Sequence, residues 1–121
     1  MGPKDQKIIL LCKKALIQRK QELLASLNTA SKEYSERDQS GDEIDQAVSM
    51  VAEFGFSAIQ NKLREQLLEI EAALIRIDKG TYGICEETEE SIETSRLLTI
   101  PWTRLSIEGA EYREALKKKF N

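Results

Sequence analysis

Apolar side chains in the first third of the chain fall at Ile9, Cys12, Leu16, Leu23, Leu27 and Ala30, with Leu24 alongside. Steps of three, four and seven make the seam of a coiled coil. Lys, Arg, Gln and Glu fill the other faces. Neither Gly nor Pro interrupts the segment after Pro3, which suits a first helical turn. The pattern predicts one helix from about Lys4 to Arg37. The stretch Ser35–Asp42 has turn composition. A second seam follows at Val48, Val51 or Ala52, Phe56, Ile59, Leu63, Leu67, Ile70, Leu74 and Ile77. It predicts a helix from Asp42 or Glu43 to about Asp78, stopped by Lys79-Gly80. Arms of roughly 30–35 residues are roughly 45–52 Å long at 1.5 Å per residue, and the short connection makes them antiparallel. Gly55 interrupts the second arm at a cost of about 1 kcal/mol relative to alanine. Close packing against the first arm is its expected reason, and a soft point for bending is the alternative.

Residues 81–109 change character. Pro101 ends any helix before it, and the segment reads as a compact knob with Tyr82, Ile84, Ile92, Leu97, Leu98, Ile100, Trp102, Leu105 and Ile107 as core candidates. A last helix, Ile107 to Phe120, is amphipathic and ends in Lys117-Lys118-Lys119, as its dipole favours. The expected fold class is therefore all-α: a long antiparallel coiled-coil hairpin over residues 1–79, then a small base and a C-terminal helix over 80–121.

Charged residues make up 32% of the 121 residues and aromatics 6%, which suits long solvated helices. A net charge of −3 gives no overall field to attract nucleic acid, so a protein partner is expected. No apolar run can span a bilayer and no signal peptide is evident, so the expectation is a cytoplasmic protein. Cys12 and Cys85 do not make a disulfide framework. Cys12 lies on the seam as an inert hydrophobe; Cys85 reads as a partly exposed thiol with no neighbouring cation to lower its pKa.

The chemistry concentrates at the connection, residues 38–47. Carboxylates at the end of a narrow rod make a probe that can reach an active site belonging to another protein. Asp42 and Asp45 also suit helix capping, as does Ser40 with Glu43. The acids could hold Mg²⁺ jointly with a partner's carboxylates, though not alone.

The order of long helix, acidic tip, long helix, Gly80-Thr81-Tyr82-Gly83-Ile84-Cys85 and Ile100-Pro101-Trp102 strongly resembles the DksA/TraR family of bacterial transcription factors. The tip matches the family's Asp-x-x-Asp-x-Ala at Asp42, Asp45 and Ala47. The resemblance implies a monomeric regulator that binds bacterial RNA polymerase without contacting DNA. Its hairpin enters the secondary channel, its tip aspartates approach the catalytic centre, and Ala47 permits close approach of the helix. Members often act with guanosine tetraphosphate in the stringent response. Nothing resembles a nucleophile–base pair or a phosphate-cradling loop, so no enzymatic activity is expected. Two other readings are a transcript-cleavage accessory of polymerase and a coiled-coil scaffold.

The family's finger carries four zinc-binding cysteines. Here the corresponding positions are Cys85, Thr88, Ser106 and Gly109. The chain has no histidine, and a structural zinc site needs four ligands, so the zinc site is expected to be lost and replaced by packing. The nucleotide needs several cations. Lys62 and Arg64 are available on the arm, but Leu67–Glu71 is acidic or apolar and Ala110 stands where a base is expected, so nucleotide dependence is expected to be weak or absent.

Overall fold

The structure is a computed structural model that describes the backbone of residues 5–37 and 43–120 and the side chains of 5–29, 55 and 57–120. Four helices follow in order: α1 (Gln6–Arg37), α2 (Glu43–Lys79), α3 (Thr94–Thr99) and α4 (Ile107–Phe120). The described residues form no strand, only one isolated antiparallel bridge, Ile84 with Ser91. The fold is all-α. Helix ends agree with the sequence pattern to within a residue or two; Ser35–Arg37, where the helix and turn patterns overlap, belong to α1. The short α3 was not foreseen: six residues are too few to show a helical period.

Packing divides the chain into two units, Met1–Gln18 with Glu69–Asn121, and Arg19–Leu68. In the second unit Leu23 is buried, and Leu27, Leu63 and Leu67 are half-buried. Ile59, expected on the seam, is 59% exposed. Of the two positions a helical step before Leu63, Gln60, three back, is half-buried and Ile59, four back, is exposed, so the inward face runs through Gln60. Gly55 is also corrected. Among the described residues a Cβ there would meet nothing within 4 Å, so close packing against them is not why a glycine stands at this position. Ala30, Val48, Val51, Ala52 and Phe56 lie outside the described side chains.

The first unit holds the larger core: Cys12 and Leu16 of α1, Ile70 and Ala73 of α2, and Tyr82, Cys85, Ile92 and Leu97 beyond them. Leu98 and Ile107, expected in this core, are exposed. Leu98 follows Leu97 on α3, and a single short turn can bury only one of two adjacent residues. Cys12 is buried on the seam, as expected, and its thiol also has polar partners. Its Sγ donates to the Leu97 carbonyl at 3.6 Å, and it is hydrogen-bonded to Tyr82, whose phenol donates to the Pro101 carbonyl at 2.8 Å. Burial pushes the Tyr82 phenol up, with the Cys12 contact adding to it.

Candidate functional site: a thiol-centred knuckle

α2 ends in a Schellman motif. Gly80 takes φ +77 and the Thr81 amide reaches back to the Arg76 carbonyl at 2.9 Å, which leaves the chain turned toward the knuckle. Gly83, at φ +87, precedes the Ile84–Ser91 bridge. Between the bridge residues the backbone folds over tightly: the Cys85 amide donates to Glu90 O at 2.8 Å and the Glu89 amide to Cys85 O at 2.9 Å. Glu89 takes φ +62, a left-handed conformation that favours glycine. A further amide bond, Glu86 N to Arg104 O at 2.9 Å, ties this turn to the loop before α4.

That folding brings Cys85, Thr88, Ser106 and Gly109 together. The Thr88 amide donates to Cys85 Sγ at 3.4 Å. Ser106 precedes α4, and its Oγ accepts the Gly109 amide at 3.0 Å, the geometry of an N-cap. Ser106 also hydrogen-bonds the thiol. Gly109 is fitted by necessity: a Cβ there would lie 2.5 Å from Cys85 Sγ and 3.4 Å from Ser106 Oγ.

Cys85 is buried, not partly exposed as its position in the sequence suggested. Burial alone would push its thiol up. Hydrogen bonds from Ser106 and Thr88, side chain and backbone, outweigh this and bring it down to about 6. No cation stands beside the thiol in the sequence; the lowering comes instead from hydroxyl and amide donors, one of them 21 residues away in the chain.

These residues do not fit zinc. One thiolate, two hydroxyls and a residue without a side chain cannot supply four ligands, and no group of three or more metal-binding side chains occurs among the described residues.

Around the thiol, ion pairs cross-link the same elements. Arg104 binds Glu69 of α2 at 2.9 Å and Glu86 of the knuckle at 2.9 Å. Arg113 of α4 binds Glu87 at 2.9 Å and lies 3.7 Å from Glu86. Arg96 donates to Leu105 O at 2.9 Å, and Arg76 to the Trp102 and Thr103 carbonyls at 3.3 and 3.4 Å. Arg76 Nη1 is fully buried without a partner, and burial, then Arg104, lowers that guanidinium's pKa. Every arginine between Arg76 and Arg113 is thus turned to an internal acceptor. Sequence reasoning missed these ion pairs because their partners are 18 to 35 residues apart.

The other predicted positions are placed as follows. Lys62 and Arg64 are exposed on α2. Asp42 lies outside the described residues. Asp45 and Ala47 belong to the first turns of α2, and their side chains lie outside the described ones.

Comparison with known proteins bears on both regions. Residues 80–115 match the family described as prokaryotic dksA/traR C4-type zinc finger. The chain is 27% identical over 107 residues to the RNA polymerase-binding transcription factor DksA of Caulobacter vibrioides, covering 88% of this chain and 70% of that one. It is 56% identical over 45 residues to an uncharacterized protein of Aquifex aeolicus; the match spans 37% of this chain and about a third, 31%, of that protein's length. The structure of transcription factor DksA2 from Pseudomonas aeruginosa superposes with a TM-score of 0.88 at 29% identity, covering 94% of this chain and 88% of that one. The fold class read from the sequence, all-α with a coiled-coil hairpin, agrees with that match.

Proposed function

We propose, since the chain belongs to the DksA/TraR family, that it is an RNA polymerase-binding transcription regulator and not an enzyme. Residues 1–79 form the hairpin that enters the polymerase's secondary channel. The module 80–121 holds the channel's outer rim. Asp42 and Asp45 perturb the catalytic elements, Ala47 allows the helix a close approach, and Lys62 and Arg64 contact the channel from the arm. The protein acts as a cytoplasmic monomer on promoter complexes without contacting DNA. No helix among the described residues is long and apolar enough to cross a membrane.

The observation that supports this reading is the match of 94% of the chain to a DksA2 structure, beside the resemblance of Asp42, Asp45 and Ala47 to the family's Asp-x-x-Asp-x-Ala tip. The substitution Asp45→Asn tests it. Capping changes by about 1 kcal/mol or less, so the variant keeps its fold. Polymerase binding is expected to persist while regulation of transcription in vitro is lost. Unchanged regulation would remove the tip's role, and shortened transcripts from a stalled complex would point to a cleavage accessory.

Two further features belong to the proposal. The knuckle works without structural zinc, the hydrogen-bonded thiol and the ion pairs holding the elements that metal ligands would join. Dependence on guanosine tetraphosphate is weak or absent. A polyphosphate needs several cations, and Arg76, Arg96, Arg104 and Arg113 are all engaged by internal acceptors. Full helicity and polymerase binding after treatment with a strong chelator, and equal regulation with and without the nucleotide, are the expected results.

A further inference from the structure

The charge of this chain is unevenly spread. Residues 1–21 carry a net +5, and the remaining 100 carry −8. From Gln6 to Gln21 every charged residue is a cation: Lys7, Lys13, Lys14, Arg19 and Lys20. Arg19 is paired with Glu22. Lys7, Lys13 and Lys14 make no ion pair among the described residues. Lys7 stands in the first turn of α1, which contains no acid. A cation there opposes the helix macrodipole, so this arrangement does not serve α1's own stability.

The same cations border an apolar stripe. Lys7, Leu10, Lys14 and Ile17 follow steps of three and four along one face of the helix, with Lys13 beside them. Cys12 and Leu16 are buried on the other side. Leu10 is 54% exposed and Ile17 39% exposed, with Leu11, also 54%, at the margin. All of these residues lie in the unit that contains the knuckle.

Building on the polymerase-binding reading above, we infer that this face of α1 docks on an acidic surface of RNA polymerase, one in which carboxylates flank an apolar groove. Charge complementarity names the partner's chemistry: unpaired lysines astride two aliphatic side chains call for carboxylates astride an apolar contact. The face offers no aromatic ring on which bases could stack. Its stripe is too narrow to bury in a bilayer, because the helix's opposite face is already covered. The lysines steer association and set its salt dependence, and Leu10 and Ile17 form the contact they surround.

The test measures affinity of the full chain for purified RNA polymerase across a salt series. Lys7→Glu/Lys14→Glu is compared with the parent and with Lys117→Glu/Lys118→Glu, which makes the same charge change on α4. The α1 variant is expected to bind about tenfold more weakly and with a shallower salt dependence, and to lose clearly more affinity than the α4 variant. Lys7→Glu now favours the helix dipole, so the α1 variant should unfold at the same temperature or higher; weaker binding then cannot come from lost stability. Leu10→Ser, at an exposed position, is expected to weaken binding without changing the salt slope. Parental affinity of the α1 variant and of Leu10→Ser overturns the inference while leaving polymerase binding intact, as does an equal loss in the α4 variant. A parent chain that binds no polymerase overturns both. Capture by anionic vesicles or RNA, or a dimer that the same lysines control, assigns the face elsewhere and also overturns it.

Discussion

Protonating Cys85 should loosen the knuckle, and the chain isolates that event unusually well. It contains no histidine, so thiols and the terminal amine are the only groups that ordinarily titrate between about pH 6 and pH 9. In the folded protein the Cys85 thiol is brought to about 6, against an ordinary 9.0. A depressed pKa means that the folded state favours the thiolate. Its stabilisation is complete above the unfolded value and is lost as pH falls through about 6. Across the window between, the unfolded chain binds one more proton, so stability climbs with pH by at most about 1.4 kcal/mol per unit. From about pH 6 to about pH 8 the gain is about 2 kcal/mol. Urea unfolding followed by far-ultraviolet circular dichroism at several pH values measures it, with thiolate absorbance as a direct titration. Cys85→Ser should abolish the slope whatever it does to the absolute stability. A flat profile in the parent, or the same slope in Cys85→Ser, would refute the reasoning, because the dependence would then be absent or owed to another group.

Gly109→Ala should destabilise by about 1–3 kcal/mol, since its Cβ would press on Cys85 Sγ from 2.5 Å; an unchanged melting temperature would mean that the contact relaxes freely. Gly55→Ala should have the opposite sign, raising stability by about 0.5–1 kcal/mol in thermal unfolding, because nothing lies within 4 Å of the added methyl. Arg104→Met should cost about 1–2 kcal/mol; its side chain and that of Glu69 are 35% and 44% exposed, so screening keeps each pair to about 1 kcal/mol or less. Added salt should erode the parent's stability more than that variant's. Thr88→Cys/Ser106→Cys/Gly109→Cys should bind about one zinc per chain, measured by metal analysis, because the four backbone positions already converge and the Cys85 thiolate can turn from the new Cβ toward the metal; no uptake would show that the four positions do not reach a tetrahedral arrangement.

The helices were legible because each arm repeats its signal many times over. One misplaced position, Ile59 for Gln60, does not change an assignment that Leu63, Leu67, Ile70 and Leu74 all support. The knuckle has no such redundancy. Cys85, Thr88, Ser106 and Gly109 could be located by resemblance, but nothing in the linear order says that Ser106 both caps α4 and hydrogen-bonds a thiol across the turn. Nor does it say that Glu69 and Glu86, which look like solvated acids on separate segments, share Arg104. A metal site is written into a sequence as four ligands at fixed spacing. A site that holds the same elements by hydrogen bonds and ion pairs is written as ordinary Ser, Thr, Glu and Arg, and only their convergence distinguishes them. The consequence for function is physical. A knuckle held in this way should respond to pH and salt where a metal-bound one responds to chelators. Chelation that unfolded the base, with no pH dependence in its stability, would show that this reading of the substituted positions is wrong.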